Sequence, residues 1–266
     1  PVWIDIPMDV QAEPYRPKYT MQDIISDKSV DLVENNPTSG QVTGVINALM
    51  AARRPLIYAG SGIRSSSSHG LFAELIDLLN IPVGTAWNAH DVIASDNELF
   101  VGRPGLRGER CGNWITHSAD CIIFLGEHLT QRQIGYQSGD YSPDSFKVMV
   151  VDDINEAIKP NLNIDMVIFA GLSKSISALI YEASPHKAKF PAEWLTWKSR
   201  CRQIANDYLP KPSDYSRSTV FINPYHAIFA IFERLKEGDS IVTGNGISVV
   251  GVFQVARLKE GQRLFQ

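Results

Sequence analysis

Residues 38–184 show two alternating patterns of hydrophobic and polar positions. Short apolar runs are typical of parallel strands that are buried on both faces. Such runs occur at residues 56–59, 121–125, 147–151 and 166–170, and another begins at residue 82. Between the runs, apolar residues recur every three or four positions, which is the period of a helix with one buried face. The alternation predicts an α/β fold, a doubly wound parallel sheet with helices on both faces.

The first helix and the first crossover can be placed from single residues. Thr38 is a suitable N-cap for a helix. The apolar side chains that follow it at helical spacing are Val42, Val45, Ile46 and Leu49. The run at 56–59 ends at Gly60-Ser61-Gly62 and is followed by a helical pattern over 70–79 and by the next strand. A strand, a turn, a helix and a strand in this order predict a right-handed βαβ unit.

A second α/β pattern begins near residue 221, after a mostly helical connector at 185–220. Asn223-Pro224 predicts the start of a helix, and Gly238 predicts its end. The residues predicted on its buried face are Ile228, Ile231, Phe232 and Leu235. A strand at 240–243, a glycine turn and a helix at 249–258 follow. The pattern predicts the truncated start of a second α/β domain.

Composition is that of a globular protein and argues against two classes of partner. Of the 266 residues, 44% are hydrophobic, and the formal net charge is −4. Basic residues scattered over an acidic chain argue against a nucleic-acid partner. No apolar run is long enough to span a bilayer, which argues against a membrane partner. Three cysteines without metal-ligand spacing favour a reducing cytoplasm and predict no metal site.

Both ends of the chain carry strong apolar patterns. Val2, Ile4 and Ile6 alternate with other residues as in a strand, and a new apolar segment begins at residue 264. Residues 11–37 are polar and marked by prolines, which predicts a linker. We therefore expect the chain to be an internal piece of a longer polypeptide.

Residues 99–135 hold the densest set of glycines. Gly102, Gly105 and Gly108 are spaced by threes ahead of a helical segment, and the strand that follows ends at Gly126. Glycines let backbone N–H groups approach a ligand, and a helix start favours an anion. Open α/β sheets bind ligands where their parallel strands end. These residues leave two interpretations open, a nucleotide-type site and a set of tight turns.

Several stretches together resemble one enzyme family. They are, in chain order, PVWIDIPMDVQ, PLIYAGSGI, WNAHDVIASDNELFVGRPGLRGERCGNWITHSADCIIFLG, LNID and IVTGNGISVVGVFQVARLKEGQRLFQ. The set is similar to thiamine-diphosphate-dependent enzymes of the acetolactate synthase type. The resemblance implies a homo-oligomeric transferase or lyase that decarboxylates a 2-oxo acid and joins the product to an acceptor.

The same resemblance implies a division of the chain. Residues 1–10 would end a pyrimidine-binding domain, 11–37 would be a linker, 38–184 a Rossmann-like central domain, 185–220 a connector, and 221–266 the start of a diphosphate-binding domain. The family's activating Glu and its Gly-Asp-Gly metal motif would lie outside the chain. We therefore predict no catalytic residue and no metal ligand here, and no activity of the chain alone. The alternative is a stand-alone nucleotide-binding or scaffolding domain without catalysis.

Thiamine diphosphate would meet the chain at one turn. The resemblance places the diphosphate at Asn245, Gly246, Ile247 and Ser248, with Mg²⁺ held elsewhere in the intact protein. A glycine turn that opens a helix presents unpaired N–H groups to an anion, and the Ser248 hydroxyl adds a donor. The other interpretation is a strand-to-helix turn that needs a positive φ at Gly246.

The central domain raises the question of FAD or another nucleotide. The positions that match the family's flavin contacts are Gly60, Ser61, Gly62, Leu106, Arg107, Gly126 and Arg132. Either arginine could pair with a phosphate. Two positions depart from the flavin pattern, because His128 stands where the family has arginine and Gly171 where it usually has aspartate. Both departures weigh against FAD, and we expect a colourless protein.

Other side chains with reactive groups are predicted to be structural. His90, Asp91 and His117 have no visible partner in the sequence. Cys111 is expected to pack in the core, as free cysteines usually do. Trp194 and Trp197 are three residues apart in a helical pattern, which predicts packing against the sheet.

Overall fold

The computed structural model describes residues 8–11, 13–14, 35–152, 161–217 and 220–265. Residues 1–32 and 33–266 are separate compact units. In the first unit, the described part holds a short helix, α1 (Met8–Gln11). The strand pattern predicted at residues 2–6 and most of the predicted linker lie outside the described residues. All further elements belong to the second unit.

The second unit alternates helices and strands. Its described α-helices are α2 (Ser39–Ala51), α3 (Gly62–Ser65), α4 (His69–Leu79), α5 (Arg110–Ser118), α6 (Gln131–Ile134), α7 (Leu172–Ala183), α8 (Glu193–Tyr208), α9 (Pro224–Arg234) and α10 (Ile247–Val255). Its described strands are β1 (Pro55–Ala59), β2 (Val83–Thr85), β3 (Cys121–Leu125), β4 (Phe146–Val151), β5 (Met166–Phe169), β6 (Ser240–Val242) and β7 (Arg263–Phe265). Short 3₁₀ helices lie at His90–Val92, Ser138–Asp140, Ser184–Lys189 and Pro212–Asp214. Within the described ranges, no helix is both long and apolar enough to cross a membrane.

The first five strands form one parallel sheet in the order β2-β1-β3-β4-β5. In β1, Ile57 pairs with Val83 on one side and with Ile123 on the other. This order is one of the doubly wound arrangements, and its winding reverses between β1 and β3. The predicted α/β, Rossmann-like fold class is therefore confirmed, together with the parallel pairing of β1, β3 and β4.

The central strands have no solvent-facing side. Every residue of β1 and β3 is buried, including Tyr58 and Phe124, whose ring centroids lie 5.4 Å apart. Strand β4 is buried from Lys147 onward. Helix α7 packs against both α2 and α4, and α5 packs against α8. The continuous apolar runs in the sequence thus correspond to strands that helices cover.

Helix α2 begins at the predicted N-cap. The Thr38 amide donates to Gln41 Oε1 at 2.9 Å, and the Gln41 amide donates to Thr38 Oγ1 at 3.2 Å. This capping box satisfies two amides that have no partner within the helix. The predicted apolar face is buried, and its members are Val42, Val45, Ile46 and Leu49.

The predicted connector contains a helix, α8, that donates two side-chain hydrogen bonds to the backbone around the start of β1. From α8, the indole N–H of Trp194 donates to Ala52 O, and that of Trp197 donates to Pro55 O, each at 2.9 Å. Both indoles are buried. Their predicted packing role is confirmed, and they also satisfy the carbonyl of the C-cap residue of α2 and that of the first residue of β1.

Residues 221–265, which we call the C-terminal segment, contain α9, β6, α10 and β7. Strands β6 and β7 pair in parallel. A second, smaller core has the buried members Ile228, Phe229, Phe232, Val252, Val255, Ala256 and Leu258. Asn223 caps α9 as predicted, because its Oδ1 accepts the Tyr225 amide at 3.0 Å. The predicted second α/β pattern is therefore present.

Three details of this segment differ from the sequence prediction. Ile231 is 55% exposed, and Phe229 takes its place in the core because the buried face of α9 is centred one residue away from the predicted one. Helix α9 ends at Arg234, since Leu235 is extended, so Gly238 lies in the turn before β6 and is not the C-cap. Helix α10 begins and ends earlier than the predicted 249–258, because Gly246 leads directly into it.

Candidate functional site

The carboxyl ends of β1 and β3 meet at the switch point of the sheet, where doubly wound folds bind ligands. Gly60-Ser61-Gly62 follows β1, and Gly126 follows β3. The Gly60 amide donates to Leu125 O at 2.9 Å, and the Gly62 amide donates to Gly126 O at 3.0 Å. The structure thus brings these four predicted residues together at one edge.

The close approach of two backbones explains the glycines at this edge. A Cβ at Gly60 would lie 2.1 Å from Gly126 O, and one at Gly62 would lie 2.8 Å from Gly126 Cα. Gly126 itself has a φ of +60°, a conformation that favours glycine. No larger side chain fits at positions 60 and 62 at this separation. The turn therefore requires glycine whether or not a ligand binds.

The glycine loop, residues 102–108, lies against the segment that follows β3. The Leu106 amide donates to Arg132 O at 2.8 Å, and a Cβ at Gly105 would lie 3.0 Å from the same oxygen. Asn113 of α5 fixes the loop, because its side chain accepts the Gly105 amide at 2.8 Å and donates to Gly105 O at 3.0 Å. The side chains of Leu106, Arg107 and Arg132 are exposed. The two predicted arginines are thus surface groups on contacting loops.

A buried carboxylate holds the segment that carries Arg132. Glu127 is 4% exposed, and its Oε1 accepts the Gln133 side-chain amide at 2.5 Å and the Leu129 amide at 3.1 Å. Gln133 Oε1 in turn accepts the Thr130 amide at 2.6 Å. This chain of hydrogen bonds fixes the backbone that contacts the glycine loop.

The two positions that depart from the flavin pattern also follow strands of the sheet. His128 is exposed beyond β3. Gly171 follows β5 and N-caps α7, and its amide donates to Asn35 O at 3.0 Å. In nucleotide sites of this kind, a carboxylate usually accepts a hydrogen bond from a ribose hydroxyl. Gly171 offers no carboxylate.

Glu109, the N-cap residue of α5, is a second buried carboxylate and joins two parts of the chain. Its Oε2 accepts the Arg103 amide at 2.7 Å, and its Oε1 accepts Arg103 Nη1 at 3.3 Å and Arg257 Nη1 at 3.1 Å. Burial lowers the pKa of Arg103 to about 10, and the Glu109 charge opposes this shift. Arg103 therefore stays charged at neutral pH, and the carboxylate has two cationic partners.

The turn between β6 and α10 is open to solvent. Gly246 is the N-cap of α10 with a φ of +72°, and a Cβ there would meet no atom within 4 Å. Asn245 Oδ1 accepts the Gly246 amide at 2.7 Å, and the Ser248 hydroxyl donates to Asn245 O at 2.8 Å. The amides of Ile247 and Ser248 lie in the first helical turn, which offers them no intrahelical acceptor. The four predicted residues thus lie together at a helix N-terminus, which favours an anion.

His90 and Asp91 belong to a 3₁₀ helix that β7 of the C-terminal segment contacts. Asp91 Oδ2 accepts Arg263 Nε–H at 2.7 Å, and Asp91 Oδ1 lies 3.5 Å from Arg64 Nε. The buried ring of His90 meets the Phe253 ring edge to face, with centroids 5.2 Å apart. Burial holds the pKa of His90 well below its ordinary value. Both residues join two regions of the fold.

The three cysteines are free and buried. Burial raises the pKa of Cys111 and of Cys121 to about 12, and it also raises the pKa of Cys201. These thiols are therefore poor nucleophiles at neutral pH. Cys111 lies in the core, as predicted, and a Cβ at Gly102 would be 2.8 Å from its Sγ.

One protein family matches the part of the chain that forms the sheet. A sequence model of the family described as "Thiamine pyrophosphate enzyme, central domain" matches residues 42–179. The chain belongs to this family. The matched residues run from α2 into α7 and include the switch-point edge and the glycine loop.

The chain is similar to acetolactate synthase large subunits. The relative from Methanococcus aeolicus, a probable large subunit, is 30% identical over 173 residues, which is 63% of the chain and 28% of the relative. The isozyme 3 large subunit of Escherichia coli (strain K12) is 24% identical over 250 residues, 92% of the chain and 42% of the relative. The Porphyra purpurea large subunit is 24% identical over 220 residues, 80% of the chain and 36% of the relative. The chain thus spans between 28% and 42% of the length of these relatives.

Sequence reasoning missed the charged groups that join the C-terminal segment to residues 38–184. Arg103 and Glu109 lie near the two ends of the glycine loop. Their opposite charges were a signal in the sequence that the two side chains could form an ion pair across the loop. Arg257 lies 148 residues from Glu109 in sequence. No local pattern connects those two residues, so the pair emerges only from the packed fold.

Proposed function

We propose that the protein containing this chain is a thiamine-diphosphate-dependent enzyme of the acetolactate synthase type. As a transferase or lyase, it would decarboxylate a 2-oxo acid and join the product to an acceptor. The family match and the acetolactate synthase relatives support this proposal. Because the chain spans less than half of these relatives, the activity belongs to the whole protein. A cytoplasmic homo-oligomer that uses Mg²⁺ completes the proposal.

The division of the chain follows from the same proposal. Residues 38–184 form the central domain, 185–220 the connector, and 221–266 the start of the diphosphate-binding domain. Residues 1–10 end the pyrimidine-binding domain, and 11–37 link it to the central one. The small second core of the C-terminal segment supports a separate domain after the connector.

The observation that carries the proposal is the open turn at residues 245–248. Gly246 leaves space where a side chain would stand, and the first amides of α10 have no intrahelical acceptor. A diphosphate here would accept hydrogen bonds from the Ile247 and Ser248 amides, and from the Ser248 hydroxyl once it rotates away from Asn245 O. Thiamine diphosphate supplies the electron sink for decarboxylation when it is bound. The role of these residues is to hold and orient its anionic end.

Catalysis requires groups beyond those in this chain. Its sequence has no Gly-Asp-Gly triplet. We propose that the 266-residue chain alone neither binds thiamine diphosphate tightly nor turns over pyruvate. A calorimetric titration with thiamine diphosphate and Mg²⁺ tests this, and a micromolar affinity would contradict it.

At the switch-point edge, we propose a structural role for the glycines in preference to an FAD site. The Cβ positions of Gly60 and Gly62 are filled by the backbone at Gly126, and Gly171 provides no carboxylate. We expect the purified protein to be colourless. A flavin absorbance band in stoichiometric amount would overturn this assignment.

The test of function uses the whole protein and its dependence on thiamine diphosphate. Consumption of pyruvate is measured against the thiamine diphosphate concentration for the native protein, Gly246→Ala and Gly238→Ala. The added methyl at position 246 occupies the space proposed for the anion, so we expect about tenfold weaker apparent affinity, which is about 1.4 kcal/mol. Gly238 is a matched control, because it also has a positive φ, +77°, and open space around its Cβ position.

The outcomes separate the function from the site. Pyruvate consumption that does not depend on thiamine diphosphate would reject the function. Equal loss of affinity in both variants would reject the turn at 245–248 as the diphosphate site, because it would trace the loss to backbone strain alone.

A further inference from the structure

A single buried carboxylate touches both the glycine loop and the C-terminal segment. The side chain of Glu109 is 0% exposed, and it contacts Arg103 in the loop and Arg257 just beyond α10. We propose that Glu109 is a positioning residue that couples the conformation of the glycine loop to the packing of the C-terminal segment against residues 38–184.

On the loop side, Glu109 closes the loop on itself. Its Oε2 accepts the Arg103 amide at 2.7 Å, and its own amide donates to Arg103 O at 2.8 Å. Glu109 Oε2 would lie 3.1 Å from a Cβ at Gly102. The carboxylate is therefore packed against the first residues of the loop, and its position sets their backbone.

On the other side, Glu109 receives the C-terminal segment. Arg257 Nη1 donates to Glu109 Oε1 at 3.1 Å, and Arg257 Nη2 donates to Pro210 O at 3.1 Å. Beside this contact, the Leu258 amide donates to Ser95 Oγ at 2.9 Å, and the Ser95 amide donates to Leu258 O at 2.8 Å. The chain after α10 is thus fixed to the loop at Ser95 and to the connector at Pro210, next to Glu109.

The shared oxygen makes the two contacts interdependent. Glu109 Oε1 accepts from both Arg103 and Arg257, and the Arg257 side chain is 31% exposed at the outer side. If the C-terminal segment separates, water reaches Glu109 and competes for the carboxylate that holds the Arg103 amide. The loop then loses the hydrogen bond that fixes its backbone at Arg103. By linkage, a loop held in its present conformation favours the packed segment.

This coupling would connect the two candidate sites. The glycine loop carries Leu106 and Arg107, and the C-terminal segment carries the turn at 245–248. Its meaning for catalysis rests on the proposed function. The coupling itself concerns only contacts within this chain, so its test requires no ligand.

A second ion pair at the same boundary provides a matched control. Arg263 donates to Asp91 Oδ2 at 2.7 Å, and the Leu264 amide reaches the same oxygen at 3.3 Å. Arg263, like Arg257, is an arginine of the C-terminal segment that pairs with a buried carboxylate of residues 38–184. Asp91 contacts Arg64, Arg263 and Leu264, which all lie outside the glycine loop.

Hydrogen exchange measured by mass spectrometry tests the coupling in the 266-residue chain. The variants are Arg257→Met and Arg263→Met, each of which keeps an unbranched apolar stem. We expect Arg257→Met to speed exchange in the glycine-loop peptide at least tenfold, and Arg263→Met to change it less than twofold. Exchange in β4 reports global unfolding, so only acceleration of the loop beyond that of β4 counts as local. The reciprocal variant, Glu109→Gln, should speed exchange at Leu258.

The result that would overturn the proposal is an unchanged glycine loop in Arg257→Met. Equal acceleration of hydrogen exchange in the loop in Arg257→Met and Arg263→Met would also overturn it. The loop would then respond to loss of either ion pair, and Glu109 would have no special role. If Arg257→Met does not fold, Arg257→Lys retains the charge and loses the paired contacts to Glu109 and Pro210. The same two outcomes then decide the proposal.

Discussion

Two turns of this chain share one sequence pattern and differ in the space around their glycines. The turn at 60–62, Gly-Ser-Gly, follows β1 and opens α3, and the turn at 244–246, Gly-Asn-Gly, follows β6 and opens α10. At the first turn, a Cβ on Gly60 would lie 2.1 Å from a backbone oxygen. At the second, a Cβ on Gly246 would meet nothing within 4 Å.

The difference shows that the pattern predicts a turn and leaves the reason for glycine open. At 60–62 the neighbouring backbone at Gly126 occupies the space, so glycine is required by packing. At 244–246 the space is free and the requirement is the positive φ of Gly246. We therefore assign the first turn to packing and propose the second for the diphosphate.

The largest expected effect is that of Gly60→Ala. Its methyl group would collide with Gly126 O, which belongs to the backbone and cannot rotate away, so we expect a loss of about 3 kcal/mol or more in the free energy of unfolding. Urea denaturation measures it. Gly70→Ala in α4 is the control, because nothing lies within 4 Å of its Cβ position. A helical Ala should instead stabilise by about 0.5 kcal/mol. If Gly60→Ala left the free energy of unfolding unchanged, packing would not explain glycine at position 60, and the two turns would no longer differ in this respect.

Acid should weaken the contact between the two regions. His90 of the central region packs against Phe253 of the C-terminal segment, and burial holds the pKa of His90 well below its ordinary value. The unfolded chain therefore binds a proton at higher pH than the folded one, and stability falls as the pH drops below about 6.5. We therefore expect His90 to contribute a loss in the free energy of unfolding between pH 7 and pH 5, which cannot exceed about 1.4 kcal/mol per pH unit.

His90→Gln isolates this contribution from that of other titrating groups. The variant lacks the ring that gains a proton, so its free energy of unfolding should decrease less than that of the native chain over the same pH range. Urea denaturation at each pH measures both. An equal decrease in the two proteins would assign the acid sensitivity to other groups.

The smallest expected effect concerns the open turn. Gly246→Ala and Gly238→Ala should each cost about 1–2 kcal/mol, because alanine disfavours the positive φ of both positions and no atom blocks the methyl. Thermal or urea denaturation compares them. A clearly larger cost at Gly246 would show that its surroundings are filled, which would remove the contrast with Gly60.

The fold was largely predictable because its signals are local. The apolar runs that became β1, β3 and β4 lie within single stretches of sequence, and Thr38 marks the start of α2 by its own chemistry. The errors are also local in origin. The buried face of α9 was centred on Ile231, and the structure buries Phe229 instead, because a helical pattern with apolar residues on several sides does not define its own orientation.

The candidate site was predictable only in part. The sequence placed Leu106 and Arg132 in one candidate set, and the structure brings their backbones together at 2.8 Å. It gave no sign that Glu109 and Arg257 would meet, since they belong to elements that are remote in sequence. The reason for glycine at position 60 is likewise the backbone of Gly126 on the neighbouring strand's end, which the sequence alone does not place there. Contacts of this kind are properties of the packed fold.

The central claim is that the turn at 245–248, and not the turn at 60–62, receives the diphosphate. Backbone amide chemical shifts of the 266-residue chain, followed by NMR during titration with thiamine diphosphate and Mg²⁺, test it directly, since shifts report even weak binding. The account predicts changes at Ile247 and Ser248 at millimolar concentration, with Gly60 and Gly62 unaffected. Changes confined to Gly60 and Gly62, or no change at Ile247 and Ser248, would contradict it.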